Sequence, residues 1–263
     1  MKPSLEKYAA VIKNLPDPPL RGGDSLPQQL LLDRDGTIEI FYAPFEYSNP
    51  KARIVIVGIT PGRVQAVNAI REVQSQLKKG ASLDVALKAA KSTGSFSGPM
   101  RINLVVMLDY FRLNVWLGIG SCAELFGARM DLAQFDSLLR FPVFIDGGNY
   151  NGKPPMVDHP LLRRYLLDHF AVGVGLFRDA VFIPLGDQVG GVFRWLTQRQ
   201  ILDDARVLDG FQHPSGANAE RIAYLIGRKP REALSSKTNP DKIDAARDRL
   251  REKIRSLKPV SVP

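Results

Sequence analysis

The chain has 263 residues, and its 36 lysine and arginine residues against 27 aspartate and glutamate residues give a net charge of +9. Its length fits one large globular domain, and no run approaches the roughly 20 apolar residues that cross a bilayer. The single cysteine, Cys122, excludes an internal disulfide and a cysteine-held metal cluster within one chain. The first residues lack a secretory signal, so a cytoplasmic location is expected, and no membrane partner is expected because no run could span a bilayer. The positive charge suits a polyanionic partner. The chain is expected to be a monomer.

Alternating apolar patterns predict the elements of the first half of the chain. A continuous apolar run at Arg53–Gly58 is typical of a strand that is buried on both faces. Pro44 follows another strand pattern closely, which indicates an edge strand. The predicted elements are a helix at 4–13, an edge strand at Ile38–Tyr42, the buried strand Arg53–Gly58, helices at 64–78 and 82–91, and a loop at Lys91–Gly98.

The second half continues the alternation of helices and strands. Its predicted elements are a helix at Asn103–Leu117, a strand at Phe141–Ile145, a loop at 146–155, a helix at 160–172, a buried strand at Ala180–Gly186, a helix at 187–199, a strand at Arg206–Phe211, and helices at 217–227 and 240–257. This order predicts an α/β fold, a three-layer α/β/α sandwich with a central, mainly parallel sheet of about four strands. One domain is expected over residues 1–228, with residues 1–37 as an extension, followed by a basic helical tail at 229–263.

Two short motifs follow predicted strands. Gly58-Ile59-Thr60-Pro61-Gly62 comes at the end of the predicted buried strand Arg53–Gly58. His213-Pro214-Ser215-Gly216-Ala217-Asn218 comes after the last predicted strand, Arg206–Phe211. The first motif lacks the Gly-Lys-Ser/Thr ending of a phosphate loop and is not a dinucleotide fingerprint. Taken singly, the first motif is an ordinary strand-to-helix turn and Ser215 an ordinary helix N-cap. Ligands bind at the carboxyl ends of strands in open α/β sheets, so the pair predicts a site there.

As a pair, these motifs resemble those of the uracil-DNA glycosylase superfamily in order, spacing and strand context. The first is similar to the Gly-Ile-Asn-Pro-Gly loop of the mismatch-specific branch, and the second to the His-Pro-Ser motif of other branches. The stretch Ser137–Pro142 is similar to the middle of the superfamily's bacterial and archaeal members. The resemblance covers roughly residues 38–228, and it implies base flipping on DNA without a metal or other cofactor.

The resemblance also implies roles for individual residues. His213 would stabilise the departing base, and Thr60 would orient the attacking water. The base would be bound by Gly58, Ile59, Pro61, Gly62, Ser137, Asn149 and Tyr150. The DNA backbone would be bound by Ser215, Gly216, Asn218 and Arg221.

Two positions depart from the superfamily pattern. Superfamily members often carry an Asp, Asn or Glu where this chain has Thr60, and threonine cannot act as a base near neutral pH. Asp146 and Asp109 are alternative carboxylates, although Asp146 is more simply a turn residue. Ala217 stands where a leucine often fills the gap left by the flipped base, and Arg221 is the alternative wedge.

The predicted function is a monofunctional DNA glycosylase that excises uracil or another modified pyrimidine in base-excision repair. Neither motif carries a lysine that could form a Schiff base with the sugar. Thr60 leaves two alternatives open. One is a glycosylase for hypermodified phage bases in antiviral defence, and the other is a catalytically idle DNA-binding module of the same fold.

Overall fold

The computed structural model describes residues 4–16, 20–21, 23–94 and 98–258. The helices there are α1 (Leu5–Lys13), α2 (Arg63–Lys78), α3 (Leu83–Gly94), α4 (Pro99–Tyr110), α5 (Leu113–Leu117), α6 (Pro160–Tyr165), α7 (Asp187–Gln198), α8 (Ala219–Leu225) and α9 (Pro240–Ser256). The strands are β1 (Leu31–Asp35), β2 (Ile38–Phe41), β3 (Ile54–Gly58), β4 (Ala133–Ser137), β5 (Val143–Ile145), β6 (Gly148–Asn149) and β7 (Val181–Pro184). The predicted α/β class is confirmed.

The chain divides into two compact units. Unit 1 comprises Met1–Ser48, Ile59–Ser95 and Phe135–Gly173, and unit 2 comprises Asn49–Gly58, Phe96–Gln134 and Val174–Pro263. In the described ranges, no helix combines the length and the apolar character that crossing a membrane requires.

Unit 1 contains an antiparallel sheet in the order β1-β2-β5-β6. Ile38 pairs with Ile145, and Ile40 pairs with Val143. The prediction that β2 is an edge strand was wrong, because β2 pairs with β1 on one side and β5 on the other. Pro44 lies beyond the end of β2 and therefore removes no hydrogen bond from the sheet.

The helices of unit 1 follow the predicted ones closely. α1 and α2 match the predicted helices at 4–13 and 64–78, and both contact α3. The predicted loop at Lys91–Gly98 was wrong at its start, because α3 continues to Gly94. Residues 95–97 lie outside the described residues, and Gly98 is in a turn. The predicted helix at 160–172 is present as α6 followed by a π-helical segment, Leu166–Ala171.

A parallel sheet of three strands, in the order β4-β3-β7, lies within the described part of the chain. In unit 2, β3 and β7 pair in register from Ile54–Val181 to Val57–Pro184. All of these paired residues are buried, as the continuous apolar runs predict. β7 packs against α7 through Phe182 and Phe193, whose ring centroids are 5.9 Å apart.

The last predicted strand, Arg206–Phe211, is not continuous. Val207 and Phe211 form isolated parallel bridges with Phe182 and Leu185 of the β7 segment. Gly210 interrupts the pairing because its φ of +133° departs from strand geometry. The predicted helix at Asn103–Leu117 is likewise divided into α4 and α5, with Arg112 between them in the left-handed conformation.

Candidate functional site

The His213 segment lies in unit 2, at the carboxyl edge of three neighbouring parallel segments. Gly58 ends β3, and the amide of Leu185 donates to the carbonyl of Val57. The amide of Gly186, after β7, donates to the carbonyl of Phe211 at 2.8 Å. Gly58, Gly186 and His213 therefore lie at or just beyond the carboxyl ends of three adjacent parallel segments, which is where open α/β sheets bind ligands.

Gly186 allows His213 to approach the β7 segment closely. A Cβ built on Gly186 would lie 3.2 Å from the His213 Cβ and 3.5 Å from its backbone nitrogen. Gly186 also has φ +84° and ψ 166°, a conformation that is essentially restricted to glycine. A side chain at this position would therefore disturb His213 directly.

The His213 imidazole is held in one orientation by its own loop. The backbone N–H of Ser215 donates a hydrogen bond to Nδ1 at 3.3 Å. Burial lowers the pKa of His213 below its ordinary value, because desolvation penalises the imidazolium. In the neutral ring, an acceptor at Nδ1 places the proton on Nε2. His213 is therefore a neutral hydrogen-bond donor through Nε2.

A chain of side-chain hydrogen bonds fixes the loop that follows His213. Asn103 of α4 donates to the Pro214 carbonyl at 2.9 Å. The Asn218 amide group donates to Ser215 Oγ at 3.1 Å, and Arg221 Nη1 donates to Asn218 Oδ1 at 3.1 Å. Because Ser215 Oγ accepts from Asn218, its own O–H can point away from the loop and donate to an incoming acceptor.

Gly216 is exposed, whereas the Arg221 guanidinium is already hydrogen-bonded within the protein. Gly216 is exposed at the start of a short 3-10 turn, Gly216–Asn218. Arg221 donates through Nη2 to the Lys237 carbonyl at 3.1 Å, in addition to its bond to Asn218. Insertion of Arg221 into DNA as a wedge would break both bonds, so the geometry favours a role in fixing Asn218.

Thr60 lies in unit 1, where its hydroxyl joins the first motif to the start of β5. Oγ1 donates to the Phe141 carbonyl at 2.9 Å and accepts from the Val143 amide at 3.2 Å. A hydroxyl has one donor hydrogen and two acceptor lone pairs, so a single lone pair is left for a water. The neighbouring Ile59 carbonyl accepts from the Leu139 amide at 2.9 Å. These bonds give Thr60 a positioning role in the loop.

Asn149 and Gly62 lie together in unit 1, at the N-terminus of α2. The Asn149 Oδ1 accepts from the Arg63 amide at 2.9 Å, and a Cβ on Gly62 would lie 3.6 Å from Asn149 Nδ2. The Arg63 guanidinium stacks 4.3 Å from the Phe144 ring centroid and donates to the Gly147 carbonyl. Asn149 is an exposed residue, and its Oδ1 holds the first residue of α2.

The other predicted base-binding residues of unit 1 are more enclosed. Pro61 is buried. Tyr150 is 4% exposed, and its hydroxyl donates to the Pro154 carbonyl at 2.6 Å. This arrangement closes the 150–154 loop and leaves little of the ring for stacking on a base. Ser137 ends β4, half-buried, and its amide donates to Asp136 Oδ1 at 2.9 Å.

Neither alternative carboxylate is arranged as a general base. In unit 2, Asp109 accepts from Ser121 Oγ at 2.7 Å and from the Cys122 amide at 2.8 Å, so it caps the turn that begins there. In unit 1, Asp146 is exposed in the β5–β6 turn with φ +49°. Within the described ranges, no group of three or more His, Cys, Asp and Glu side chains could hold a metal ion.

Sequence reasoning missed a buried charged cluster in unit 1. Lys91 and Asp136 have side chains 9% and 6% exposed, and Lys91 Nζ lies 3.6 Å from Asp136 Oδ1 and donates to the Phe45 carbonyl at 3.1 Å. Nearby, Tyr42 donates to Glu46 at 2.6 Å, and burial raises the pKa of Glu46. Leu83, Leu87 and Lys91 follow one another at intervals of four residues, which signals that Lys91 faces inward on α3.

Over most of its length the chain is similar to a protein of Bacillus subtilis (strain 168). The uncharacterized protein YoxB of Bacillus subtilis (strain 168) is 35% identical over 228 residues, which are 86% of this chain and 89% of YoxB. No model of a known protein family matches the chain, and no solved structure matches it.

Proposed function

The chain belongs to the family of the uncharacterized Bacillus subtilis protein YoxB, and we propose from its site that it is a monofunctional DNA glycosylase. The proposed reaction is hydrolysis of the N-glycosidic bond of uracil or another modified pyrimidine, which leaves an abasic site in DNA.

The protonation state of the His213 imidazole and its position at the edge of the sheet are the main support for this proposal. A neutral imidazole whose N–H is on Nε2 donates a hydrogen bond without carrying a charge that must be desolvated. Such a donor stabilises negative charge that develops on a departing base, and the bond strengthens as the charge grows. Its position at the carboxyl edge of the parallel segments is the usual place for ligand binding in such sheets.

The proposed reaction breaks the C1′–N bond, and the electron pair of that bond leaves with the base. His213 Nε2–H hydrogen-bonds to the anionic base oxygen, while a water adds its oxygen to the cationic C1′. One proton of that water passes to the departing base or to solvent. Thr60 orients the loop through Phe141 and Val143 and has one lone pair left to contact the water. A carboxylate base is not part of the proposal.

The Ser215 hydroxyl and the backbone N–H of Gly216, an exposed residue, are the proposed contacts to the phosphate beside the flipped nucleotide. The proposal includes the three-layer α/β/α sandwich predicted from the sequence. It also includes a monomer that acts on DNA in the cytoplasm, in base-excision repair.

The decisive experiment measures abasic sites in a uracil-containing duplex, detected as strand breaks after alkali. His213→Ala is expected to slow base release by about 10²- to 10³-fold, the usual cost of removing one transition-state donor. His159→Ala is the matched control, because His159 lies outside both motifs and its imidazole is 3.7 Å from Asp35. Equal rates for wild type and His213→Ala would refute the catalytic assignment.

The hypermodified-base alternative is favoured by the first motif. Thr60 uses its donor hydrogen and one lone pair on backbone, and neither Asp109 nor Asp146 is arranged to activate water. The same assay on uracil, a thymine mismatch and glucosylated hydroxymethylcytosine separates the two substrate classes. Efficient release of plain uracil without preference would argue against the defence role.

The idle-module alternative is favoured by the same observation, that neither Asp109 nor Asp146 is arranged to activate water. It predicts DNA binding without base release on every substrate, and His213→Ala would then leave binding unchanged. Any His213-dependent base release excludes it.

A further inference from the structure

A basic pocket lies in unit 2 beside the His213 segment. It has a volume of about 350 Å³, and α7, the segment before His213, α8 and α9 line it. Five cationic side chains face it, namely Arg194, Arg221, Lys237, Lys242 and Arg249, against two carboxylates, Asp187 and Asp209.

The two carboxylates are already paired. Arg194 lies 2.6 Å from Asp209, and Lys242 lies 2.7 Å from Asp187. Of the residues that the structure describes, none offers a carboxylate within ion-pair distance of Arg221, Lys237 or Arg249. The pocket therefore keeps an excess of three positive charges, which suits an anionic group.

The walls of the pocket are held in place by the fold. A Cβ on Gly210, whose φ is +133°, would lie 3.0 Å from the Ala246 Cβ. The glycine therefore allows α9 to pack closely against the segment 206–211. Glu220 accepts hydrogen bonds from the Ser235 amide and hydroxyl, from Thr238 Oγ1 and from Lys229 Nζ. These bonds fix the segment that carries Lys237 before any ligand arrives.

The pocket is continuous with the loop that follows His213. Gln212 lines the pocket and directly precedes His213. Arg221 also lines it, and the same guanidinium holds Asn218, which in turn holds Ser215 Oγ. An anion in the pocket would therefore lie on the same side of unit 2 as the proposed phosphate contact of Ser215.

We propose that this pocket binds a second phosphodiester group of the DNA strand, one that flanks the flipped nucleotide and lies beyond the phosphate held by Ser215. Arg249 is the principal contact, because it is exposed and has no carboxylate partner among the described residues. This inference rests on the proposed function, since DNA is its ligand.

The test is the salt dependence of binding to a short fluorescein-labelled duplex with one uracil, followed by anisotropy. Loss of one phosphate contact lowers the slope of log K against log salt by about 0.9 and, at 0.1 M salt, the affinity about eightfold. Arg249→Ala is expected to show both changes, and Arg249→Lys to restore most of them. Arg255→Ala is the matched control, since Arg255 is an exposed arginine of α9 outside the pocket.

Three results would overturn the inference. One is an equal change in Arg249→Ala and Arg255→Ala, which indicates general charge only. Another is no change in either variant. The third is calorimetric binding of inorganic phosphate that Arg249→Ala abolishes while the DNA slope stays the same, which indicates a free anion as ligand.

The readout is also separate from that of the glycosylase proposal. An Arg249 effect on binding, together with no base release from uracil, a thymine mismatch or glucosylated hydroxymethylcytosine, refutes the glycosylase and keeps the pocket. Base release without an Arg249 effect refutes the pocket alone.

Discussion

Replacing Gly186 with alanine should damage stability and catalysis together. Gly186 has φ +84° and ψ 166°, and an L side chain in this region costs about 1–3 kcal/mol. The new Cβ would also lie 3.2 Å from the His213 Cβ, so His213 must move by a few tenths of an ångström. Misplacement by about 1 Å costs roughly 100-fold in rate, so a smaller shift is expected to cost about tenfold.

The Gly186→Ala experiment needs a control that separates backbone strain from the displacement of His213. Gly36 in the β1–β2 turn has φ +56°, and a Cβ there would meet nothing within 4 Å. Urea unfolding is expected to show that the free energy of unfolding falls by about 1–3 kcal/mol for Gly186→Ala and by about 1–2 kcal/mol for Gly36→Ala. Only Gly186→Ala should slow base release. If the two variants release base at the same rate, the reasoning on His213 is wrong.

Further predictions concern four side chains, His213, Thr60, Lys91 and Glu220. Burial lowers the pKa of His213, so the neutral imidazole is present at every pH above its ordinary pKa of 6.5. The value of kcat/KM for base release should therefore not fall between pH 6.5 and 8. A fall of kcat/KM in this range would indicate that the imidazolium is the active form. The unfolded state takes up this proton first, so the contribution of His213 to stability should decline as pH falls below 6.5. Thr60→Val leaves the Phe141 carbonyl and the Val143 amide unpaired, so the free energy of unfolding in urea should fall by about 1–3 kcal/mol. Thr60→Ser keeps the hydroxyl and should retain both the stability and the rate of base release of the wild type. Lys91→Met leaves Asp136 buried without its cation, and urea unfolding should show a free energy of unfolding lower by about 3–5 kcal/mol. Adding Asp136→Asn to this variant should restore part of that free energy. Hydrogen bonds from Ser235 and its neighbours lower the pKa of Glu220 to about 2, so the stability difference between wild type and Glu220→Gln should be complete above about pH 4.5 and disappear as pH falls to 2.

The elements with strong local patterns were predictable. β3 and β7 are continuous apolar runs, and such runs are stable only when both faces are covered, so they indicated a parallel sheet. α1, α2 and α7 have apolar faces at helical spacing, and their bounds differ from the predictions by one residue at most.

β4 was missed because its stability comes from distant partners. It contains Gln134 and Asp136, which are buried and polar and do not signal a strand. In unit 2, Gln134 accepts from the Asn49 amide at 3.0 Å, and in unit 1 Asp136 pairs with Lys91. Buried polar groups are tolerated where such partners exist, and a local pattern cannot reveal them.

The candidate site was predicted in part. The sequence placed His213 after a strand-like segment, and the structure adds the Ser215 amide at Nδ1 and the close approach of Gly186. The role of Thr60 changed most, because its hydroxyl bonds to residues 81 and 83 positions away. Asn149 similarly holds the start of α2 across 86 positions.

The sequence by itself determined the α/β class, the two buried parallel strands and the position of both motifs at strand ends, because these depend on hydrophobic periodicity and local turn chemistry. Only the tertiary structure decided the tautomer of His213, the positioning role of Thr60, the burial of Lys91 and the basic pocket beside α9. Each of these depends on contacts between residues far apart in the chain, and such contacts leave no periodic signal in the sequence.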